Sequence, residues 1–161
     1  MKILGFGDNI IDRFVDRGLV YPGGNCVNVA VFARQLGADA AYLGVFGSDT
    51  YGQRMRDALT AEGVDVIHSE IRDGGSGLSE LTVVDGERVF SGWNGGGVTV
   101  EQSLVLTERL LAYVSGFDVV HSSVYSNAES ELPKRRAGNS PVGSRFSNAA
   151  APRPTDMLDR A

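Results

Sequence analysis

The chain of 161 residues contains a single cysteine, Cys26. One thiol excludes an internal disulfide framework and any zinc site that needs several thiolates. His68 and His121 have no partners at ligand spacing, so we expect no metal site. It also favours a reducing compartment, and the sequence therefore predicts a cytoplasmic protein. Apolar runs are only a few residues long, far below the roughly 18 that span a bilayer, and the N-terminus lacks a signal-peptide pattern. We expect no membrane association.

Basic residues are scarce through most of the chain. Residues 1–132 hold nine basic and eighteen acidic side chains, whereas residues 133–161 hold six basic and two acidic ones. Proteins bind nucleic acid through clustered Lys and Arg, so the acidic part argues against nucleic acid as a partner. The basic tail leaves RNA or an anionic membrane as an alternative, but it has one aromatic residue and no helical stripe.

Strand and helix patterns alternate through residues 1–132, which is typical of an α/β fold. Short apolar segments predict strands at Lys2–Phe6, Ala40–Phe46, Val64–Ile71 and Asp118–Ser122. Helical spacing of apolar residues predicts helices at Asn25–Leu36, Tyr51–Ala61 and Val100–Val114. We therefore expect a layered α/β fold with a mainly parallel sheet.

Two features interrupt or end this alternation. Leu81–Val84 and Glu87–Phe90 flank an Asp-Gly pair, which predicts an antiparallel hairpin with a type I′ turn. From residue 133 onward bulky apolar residues are few and share no period, so the segment cannot bury enough surface to offset its ordering entropy. The sequence thus divides into a domain at 1–132 and a disordered or aberrant tail at 133–161.

Gly23-Gly24-Asn25-Cys26-Val27-Asn28 leads directly into the first predicted helix. Paired glycines allow close approach of a ligand to the backbone, and a helix start presents unpaired N–H groups. The amides of Asn25 and Asn28 lie three residues apart, and each can donate and accept hydrogen bonds, which suits an uncharged polyhydroxylated group such as a sugar. The alternative is that the glycines form only a turn and Asn25 only an N-cap.

Residues 1–132 resemble the ribokinase-like, or phosphofructokinase-B, family of carbohydrate kinases. The glycine-rich signature of that family falls here on Gly23, Gly24, Asn28, Ala30, Gly37 and Gly47. The family also places an aspartate five residues after the glycine that closes the first strand, which is Asp12 after Gly7. The Gly7-Asp8-Asn9 opening and the segment Asp118-Val-Val-His121 are most similar to the fructoselysine 6-kinase branch.

The resemblance implies a set of substrate-binding residues. Asp12 would accept hydrogen bonds from sugar hydroxyls, Gly24 would offer backbone contacts, and Asn25 and Asn28 would hold further hydroxyls. Asp8 is a further candidate, although an aspartate at a strand end is also common in turns. The hairpin at 78–94 and the segment at 13–21 would form the family's β lid, which closes over the sugar and often pairs with a second copy.

The resemblance also implies ATP, Mg²⁺ and a catalytic base for the full family member. The base belongs to a Gly-Ala-Gly-Asp segment, and this sequence contains none. We therefore expect the N-terminal, sugar-binding half of a carbohydrate kinase, truncated and inactive by itself, with no catalytic residue and no bound cofactor. The favoured substrate is fructoselysine or a related ketosamine. The alternative is a non-catalytic sugar-binding or dimerisation module.

The tail carries a hypothesis of its own. Beyond Lys134 the α/β pattern, the resemblance and the acidic charge balance are lost together, and Arg, Ala, Pro, Gly and Ser dominate. This composition is typical of an out-of-frame reading of a GC-rich gene, so we expect a reading-frame shift followed by an early stop. A natural disordered tail is the alternative.

Overall fold

The computed structural model describes residues 1–128 and 131. In these residues the strands are β1 (Lys2–Phe6), β2 (Ile10–Phe14), β3 (Leu19–Gly23), β4 (Asp39–Leu43), β5 (Val45–Gly47), β6 (Glu70–Arg72), β7 (Leu78–Val84), β8 (Glu87–Trp93) and β9 (Val119–His121). The helices are α1 (Asn25–Gln35), α2 (Thr50–Ala61), α3 (Val98–Glu101) and α4 (Glu108–Ser115), and a 3₁₀ turn follows at Val124–Ser126. The tail predicted at 133–161 lies outside the described residues.

A parallel three-stranded sheet in the order β4-β1-β9 forms the base of the molecule. Alternate residues of β1 point to opposite faces: Leu4 and Phe6 pack with the buried residues of α4, whereas Gly5 faces α1. A Cβ at Gly5 would lie 2.0 Å from the Cys26 carbonyl oxygen, so α1 contacts the strand backbone directly. Helices therefore cover both faces of the sheet, which confirms the predicted layered α/β fold.

Helix α1 follows the glycine pair, as its apolar spacing predicts. Its buried face packs against β1 and β4 and consists of Cys26, Val27, Ala30, Val31 and Ala33. The predicted stop is also confirmed, because Gly37 follows the helix with a φ of 87°, a conformation that side chains disfavour. Burial of the two valines contributes about 1.5–3 kcal/mol for each side chain, and this contribution fixes α1 on the sheet.

A second, four-stranded sheet in the order β3-β2-β7-β8 forms the structure that we call the lid, residues 10–23 and 78–93. Its β2 and β7 are parallel, and its two outer pairs are antiparallel. The hairpin turn between β7 and β8 has positive φ at both Asp85 and Gly86, 51° and 83°, as a type I′ turn requires. The first lid segment begins at Ile10, three residues earlier than the sequence predicts.

Three predicted elements are wrong in extent. The strand expected at 40–46 is divided at Gly44, because β4 pairs with β1 whereas β5 pairs with β6. In the strand expected at 64–71, Asp65 forms only an isolated bridge to Ala41, and a regular strand begins at Glu70. Between them, Asp65 accepts a hydrogen bond from the backbone N–H of Ile67 and forms a turn. The helix expected at 100–114 is two helices, because the chain between them places Leu104 and Leu106 in the core.

Within the described range, no helix combines the length and the hydropathy that crossing a bilayer requires.

Candidate functional site

A cleft of about 820 Å³ lies between the base sheet and the lid. The carboxyl end of β1, the first turn of α1 and one face of the lid all contribute to its walls. We call it the lid cleft. It brings together all five residues that the sequence predicts as substrate contacts, namely Asp8, Asp12, Gly24, Asn25 and Asn28.

The glycine pair shapes the wall of the cleft at the start of α1. Gly24 is the N-cap, with a φ of 104°, and a Cβ there would lie 2.9 Å from the Cα of Asn9. The alternative interpretation of Asn25 as the N-cap is therefore wrong. The backbone N–H of Asn25 instead donates to Asp8 Oδ2 at 2.7 Å. Because Asp8 satisfies the helix start, the side chain of Asn25 is not needed as a cap.

Two amide side chains remain available on this wall. Asn25 and Asn28 lie in the first turn of α1 and line the cleft. Neither side-chain amide is hydrogen-bonded to another residue in the part of the chain that the structure describes. Together they offer donors and acceptors that a hydroxylated ligand can use.

Asp8 is the centre of a buried hydrogen-bond network below the cleft. Its Oδ1 accepts hydrogen bonds from Ser123 Oγ at 2.6 Å and Ser126 Oγ at 2.9 Å, and the Cys26 thiol lies 3.0 Å away. The Asp8 backbone N–H in turn donates to Ser126 Oγ at 3.0 Å. Asp8 therefore joins the end of β1, the start of α1 and the loop after β9. Its contact with a substrate stays a prediction.

The network includes a buried thiol. Cys26 is fully buried on α1, as the sequence predicts, and its sulfur also lies 3.0 Å from the carbonyl oxygen of Phe6. Burial, together with the nearby Asp8 carboxylate, raises the pKa of this thiol well above its ordinary value. The sulfur is thus held as a neutral packing group.

Asp12 faces the cleft from the lid strand β2. Gly23 lies on the neighbouring strand, where a Cβ would be 3.2 Å from Asp12 Oδ2, so the absent side chain leaves room for the carboxylate. Burial raises the pKa of Asp12, and the positive charge of Arg88, whose Nη1 is 3.8 Å from Oδ2, partly opposes that rise. The Asp12 side chain is only 20% exposed, and no other described residue donates a hydrogen bond to its carboxylate.

The sequence identifies the lid but misses the residues through which it lines the cleft. Besides Asp12, the lid contributes Ser79, Arg88, Phe90 and Trp93. Helix α3 contributes Thr99, and the 3₁₀ turn contributes Tyr125. Strand alternation along β8 could have placed Arg88 and Phe90 on one face. Trp93 could not be placed in this way, because a bulge opposite Glu80 and Leu81 changes the register.

A second cavity of about 490 Å³ lies at the opposite ends of the base strands. It is lined by residues that include Lys2, Asp39 and Tyr113. It contains none of the predicted substrate residues, so the lid cleft is the candidate site.

The comparison with protein families identifies the chain. Residues 14–136 match the pfkB family carbohydrate kinase model. The chain belongs to the pfkB family of carbohydrate kinases. The glycine-rich signature from Gly23 to Gly47 lies within the matched residues, which confirms the family resemblance. Asp12 lies outside them, and its contact with a sugar stays a prediction.

Two curated relatives match more than nine tenths of the chain. The chain is 36% identical to fructosamine kinase FrlD of Bacillus subtilis (strain 168) over 148 residues, which cover 91% of the chain and 52% of that protein. It is 30% identical to fructoselysine 6-kinase of Escherichia coli (strain K12) over 149 residues, which cover 92% of the chain and 56% of that protein. The chain thus spans about half the length of the curated relatives that it matches.

Solved structures show the same fold. A PfkB protein from Polaromonas sp. JS666 superposes with a TM-score of 0.71 at 17% identity, covering 91% of this chain and 55% of that one. A fructokinase from Xylella fastidiosa superposes with a TM-score of 0.69 at 23% identity, covering 94% and 54%. At these identities the comparison establishes the fold of the chain and leaves its substrate open.

Proposed function

We propose that this chain forms the sugar-binding part of an ATP-dependent kinase for a ketosamine such as fructoselysine. The observation that carries the proposal is the convergence of Asp12, Asn25 and Asn28 on the lid cleft. These three side chains offer a carboxylate and two amides that other described residues leave without direct hydrogen bonds. The two relatives named above act on fructosamine or fructoselysine by their names, and this supports the choice of substrate class.

The arrangement suits recognition of a diol. An ionised carboxylate accepts two charge-assisted hydrogen bonds from neighbouring hydroxyls, so Asp12 is proposed to bind one hydroxyl pair of the sugar. Asn25 and Asn28 bind further hydroxyls from the α1 side, and the close approach of the backbone at Gly24 allows the ligand to lie against the helix start. The Asp8 carboxylate already accepts several hydrogen bonds within the protein, so a substrate could use only its remaining lone pairs.

The proposed reaction transfers the γ-phosphoryl group of ATP to a sugar hydroxyl, with Mg²⁺ stabilising the phosphate charges. The sequence contains no Gly-Ala-Gly-Asp segment to supply the base. Residues 1–128 and 131 contain no group of three or more His, Cys, Asp or Glu that could hold a metal ion. As the family resemblance implies, we propose that ATP and Mg²⁺ act in a complete family member, and we propose no catalytic residue in this chain.

Ligand binding to this chain tests the proposal. We expect Asp12→Ala and Asn28→Ala each to weaken binding of N-ε-fructosyl-lysine by about 1.5–3 kcal/mol, measured by titration calorimetry, because each removes a hydrogen-bond partner of the sugar. Asp57→Ala is the matched control, since Asp57 is an exposed carboxylate on α2, bonded to Gln53 outside the cleft. Unchanged affinity in both variants would locate the site elsewhere.

A dimerisation module is the second candidate, and one observation favours it. The lid exposes the apolar side chains of Val84 and Val89 on the face opposite to Arg88 and Phe90. Exposed apolar patches of this kind mark interaction surfaces, so the lid is proposed to pair with a second copy. Sedimentation velocity over a concentration series separates a dimer from a monomer, and an ATP-dependent phosphorylation assay separates a kinase from a binding module.

A further inference from the structure

One basic side chain faces the lid cleft. Among the described residues that line the cleft, Arg88 is the only Lys or Arg, whereas Asp8, Asp12 and Glu87 are acidic. The Asp8 carboxylate already accepts hydrogen bonds from Asn25 and Ser123, and Asp12 is proposed to bind the sugar. Arg88 has no assigned role in sugar binding, so its presence in the cleft needs an explanation of its own.

The lid holds the Arg88 guanidinium in place without using its donors. Arg88 lies on β8 opposite Val83, and its guanidinium carbon is 5.8 Å from the centroid of the Phe14 ring, a cation–π distance. Its Nη1 forms an ion pair with Asp12 Oδ2 at 3.8 Å, a separation beyond hydrogen-bond length. No described residue accepts a hydrogen bond from Arg88, and its side chain is only 29% exposed.

A second arginine of the lid shows the contrast. Arg13, the neighbour of Asp12 on β2, lies on the opposite face of the lid, and its guanidinium donates directly to Glu80. Glu80 thus accepts a hydrogen bond from Nη2 of Arg13, whereas the buried Nε of Arg13 has no partner among the described residues. Arg88 therefore differs from Arg13 in keeping its planar set of N–H donors available inside a cleft, the arrangement that binds carboxylates in two-bond geometry.

The cleft also has an apolar surface beside Arg88. Phe90 and Trp93 follow Arg88 on β8, line the cleft and are 63% and 59% exposed. Exposed aromatic rings in a ligand cleft contact the apolar parts of a ligand. A ligand that combines hydroxyls, an aliphatic chain and a carboxylate would match the amides, the rings and Arg88 respectively.

We propose that Arg88 binds the carboxylate of the amino-acid part of the substrate and so selects ketosamines that carry a carboxylate over plain sugars. This inference rests on the proposed function, because it takes the lid cleft as the site of the sugar. In this arrangement Asp12 and the amides of α1 hold the sugar, Phe90 and Trp93 contact the aliphatic chain, and Arg88 donates to the carboxylate. Arg88 is thus a specificity-determining residue of the lid.

Arg88 can also affect binding indirectly, through the ionisation of Asp12. The experiment must separate this indirect effect from a direct contact with the carboxylate of the ligand. Its charge opposes the burial-induced rise of the Asp12 pKa, so its removal would favour the protonated form of Asp12. Such an effect would weaken every sugar ligand equally and would grow as the pH falls. Direct recognition of a carboxylate affects only ligands that carry one.

The test compares N-ε-fructosyl-lysine with its carboxamide and with fructose, each titrated into the 161-residue chain by calorimetry at neutral pH. We expect the chain to bind the carboxylate form about tenfold more tightly than the carboxamide, and the preference to decrease with added salt, because salt screens a charged contact that is partly exposed. We expect Arg88→Gln to remove the preference and to change the affinity for the amide less than twofold. Arg88→Lys should retain part of the preference, and Arg13→Gln all of it.

Each other outcome overturns the proposal in a distinguishable way. Equal binding of the acid and the amide by the unmodified chain would overturn the role of Arg88 and leave the proposed function standing. An equal loss for the acid, the amide and fructose in Arg88→Gln would show that Arg88 acts through Asp12. If the unmodified chain binds none of the three, the proposed function fails together with this inference. The salt series uses the unmodified chain, so a poorly folded variant does not remove the test.

Discussion

The two walls of the lid cleft are built in opposite ways. On the base side, Asp8 and its partners are buried, and four donors surround one carboxylate. On the lid side, Asp12 and Arg88 are 20% and 29% exposed and lie 3.8 Å apart without a hydrogen bond. The base wall thus uses its polar groups to hold the backbone together, whereas the lid wall keeps its polar groups available to a ligand.

This difference teaches how one cleft combines rigidity with recognition. A buried, satisfied network fixes the positions of the strand end and the helix start, because removing any member leaves a buried polar group unpaired. The lid buries Ile11, Phe14 and Leu81 but leaves many other side chains exposed, and these exposed side chains can change with little effect on folding. We therefore expect substitutions on the base side to affect stability and substitutions on the lid side to affect binding.

The largest expected effect is on the base side. Asp8→Ala should lower the free energy of unfolding by about 3–5 kcal/mol, because it leaves Ser123, Ser126 and the N–H of Asn25 without their buried acceptor. Chemical denaturation of the purified chain measures this. Asp57→Ala removes a carboxylate that is exposed on α2 and should change stability by less than about 0.5 kcal/mol. A similarly small effect for Asp8→Ala would contradict the structural role of the network.

An intermediate effect is expected at Asp49, which joins α2 to the segment leading into the lid. Its carboxylate accepts hydrogen bonds from the backbone N–H of Gly52 at 2.8 Å and from the N–H and hydroxyl of Ser76 at 2.8 and 2.7 Å. Asp49→Ala should therefore cost about 2 kcal/mol of stability, through loss of the helix cap and of the Ser76 contacts.

The effect of Asp49 should depend on pH. Burial opposes its ionisation, but the hydrogen bonds from Ser76 and Gly52 outweigh burial and lower the pKa of Asp49 below its ordinary value of 3.8. A carboxylate whose folded pKa is lowered stabilises the fold above the unfolded pKa, and this contribution is lost as the pH falls through the folded pKa. Thermal unfolding from pH 7 to pH 3 should show the cost of Asp49→Ala decreasing in acid. If the loss of stability in Asp49→Ala were the same at every pH, the proposed role of the ionised Asp49 carboxylate would be wrong.

The smallest effect is expected on the outer side of the lid. Val89 is exposed on β8 and pairs with Thr82, so Val89→Ser should change the free energy of unfolding by less than about 0.5 kcal/mol. The same substitution should weaken self-association if the lid pairs with a second copy, which sedimentation velocity measures. If Val89→Ser lowered the free energy of unfolding by more than about 1 kcal/mol at low protein concentration, the outer side of the lid would be as tightly packed as the base. The proposed difference between the two walls would then be wrong.

The binding experiments sharpen the same comparison. Asp12→Ala and Arg88→Gln change side chains of the lid wall, so they should alter ligand affinity while leaving the unfolding transition close to that of the unmodified chain. Asn28→Ala tests the amide wall of α1 in the same way. A variant of the lid that destabilised the fold as strongly as Asp8→Ala would remove the distinction between the two walls.

Much of the fold could be predicted from the sequence, because local patterns determine it. The Gly23-Gly24 pair and the apolar spacing after it identify α1, and Asp85-Gly86 identifies the hairpin of the lid. The long helix predicted at 100–114 is wrong because the pattern does not show that residues between α3 and α4 leave the helix to fill the core. Burial by distant elements overrides local propensity at such places.

The sequence by itself also determined which residues of the glycine signature line the cleft. Gly24, Asn25 and Asn28 all belong to the first turn of one helix, so their positions follow from local spacing. The role of Asp8 was decided only by the tertiary structure, because its partners Ser123 and Ser126 lie more than 110 residues away along the chain. The face of Trp93 was also decided there, since the bulge in the lid breaks the two-residue alternation on which a sequence argument depends. Short-range spacing carries backbone conformation, whereas long-range contacts decide which polar groups are satisfied and which remain for a ligand.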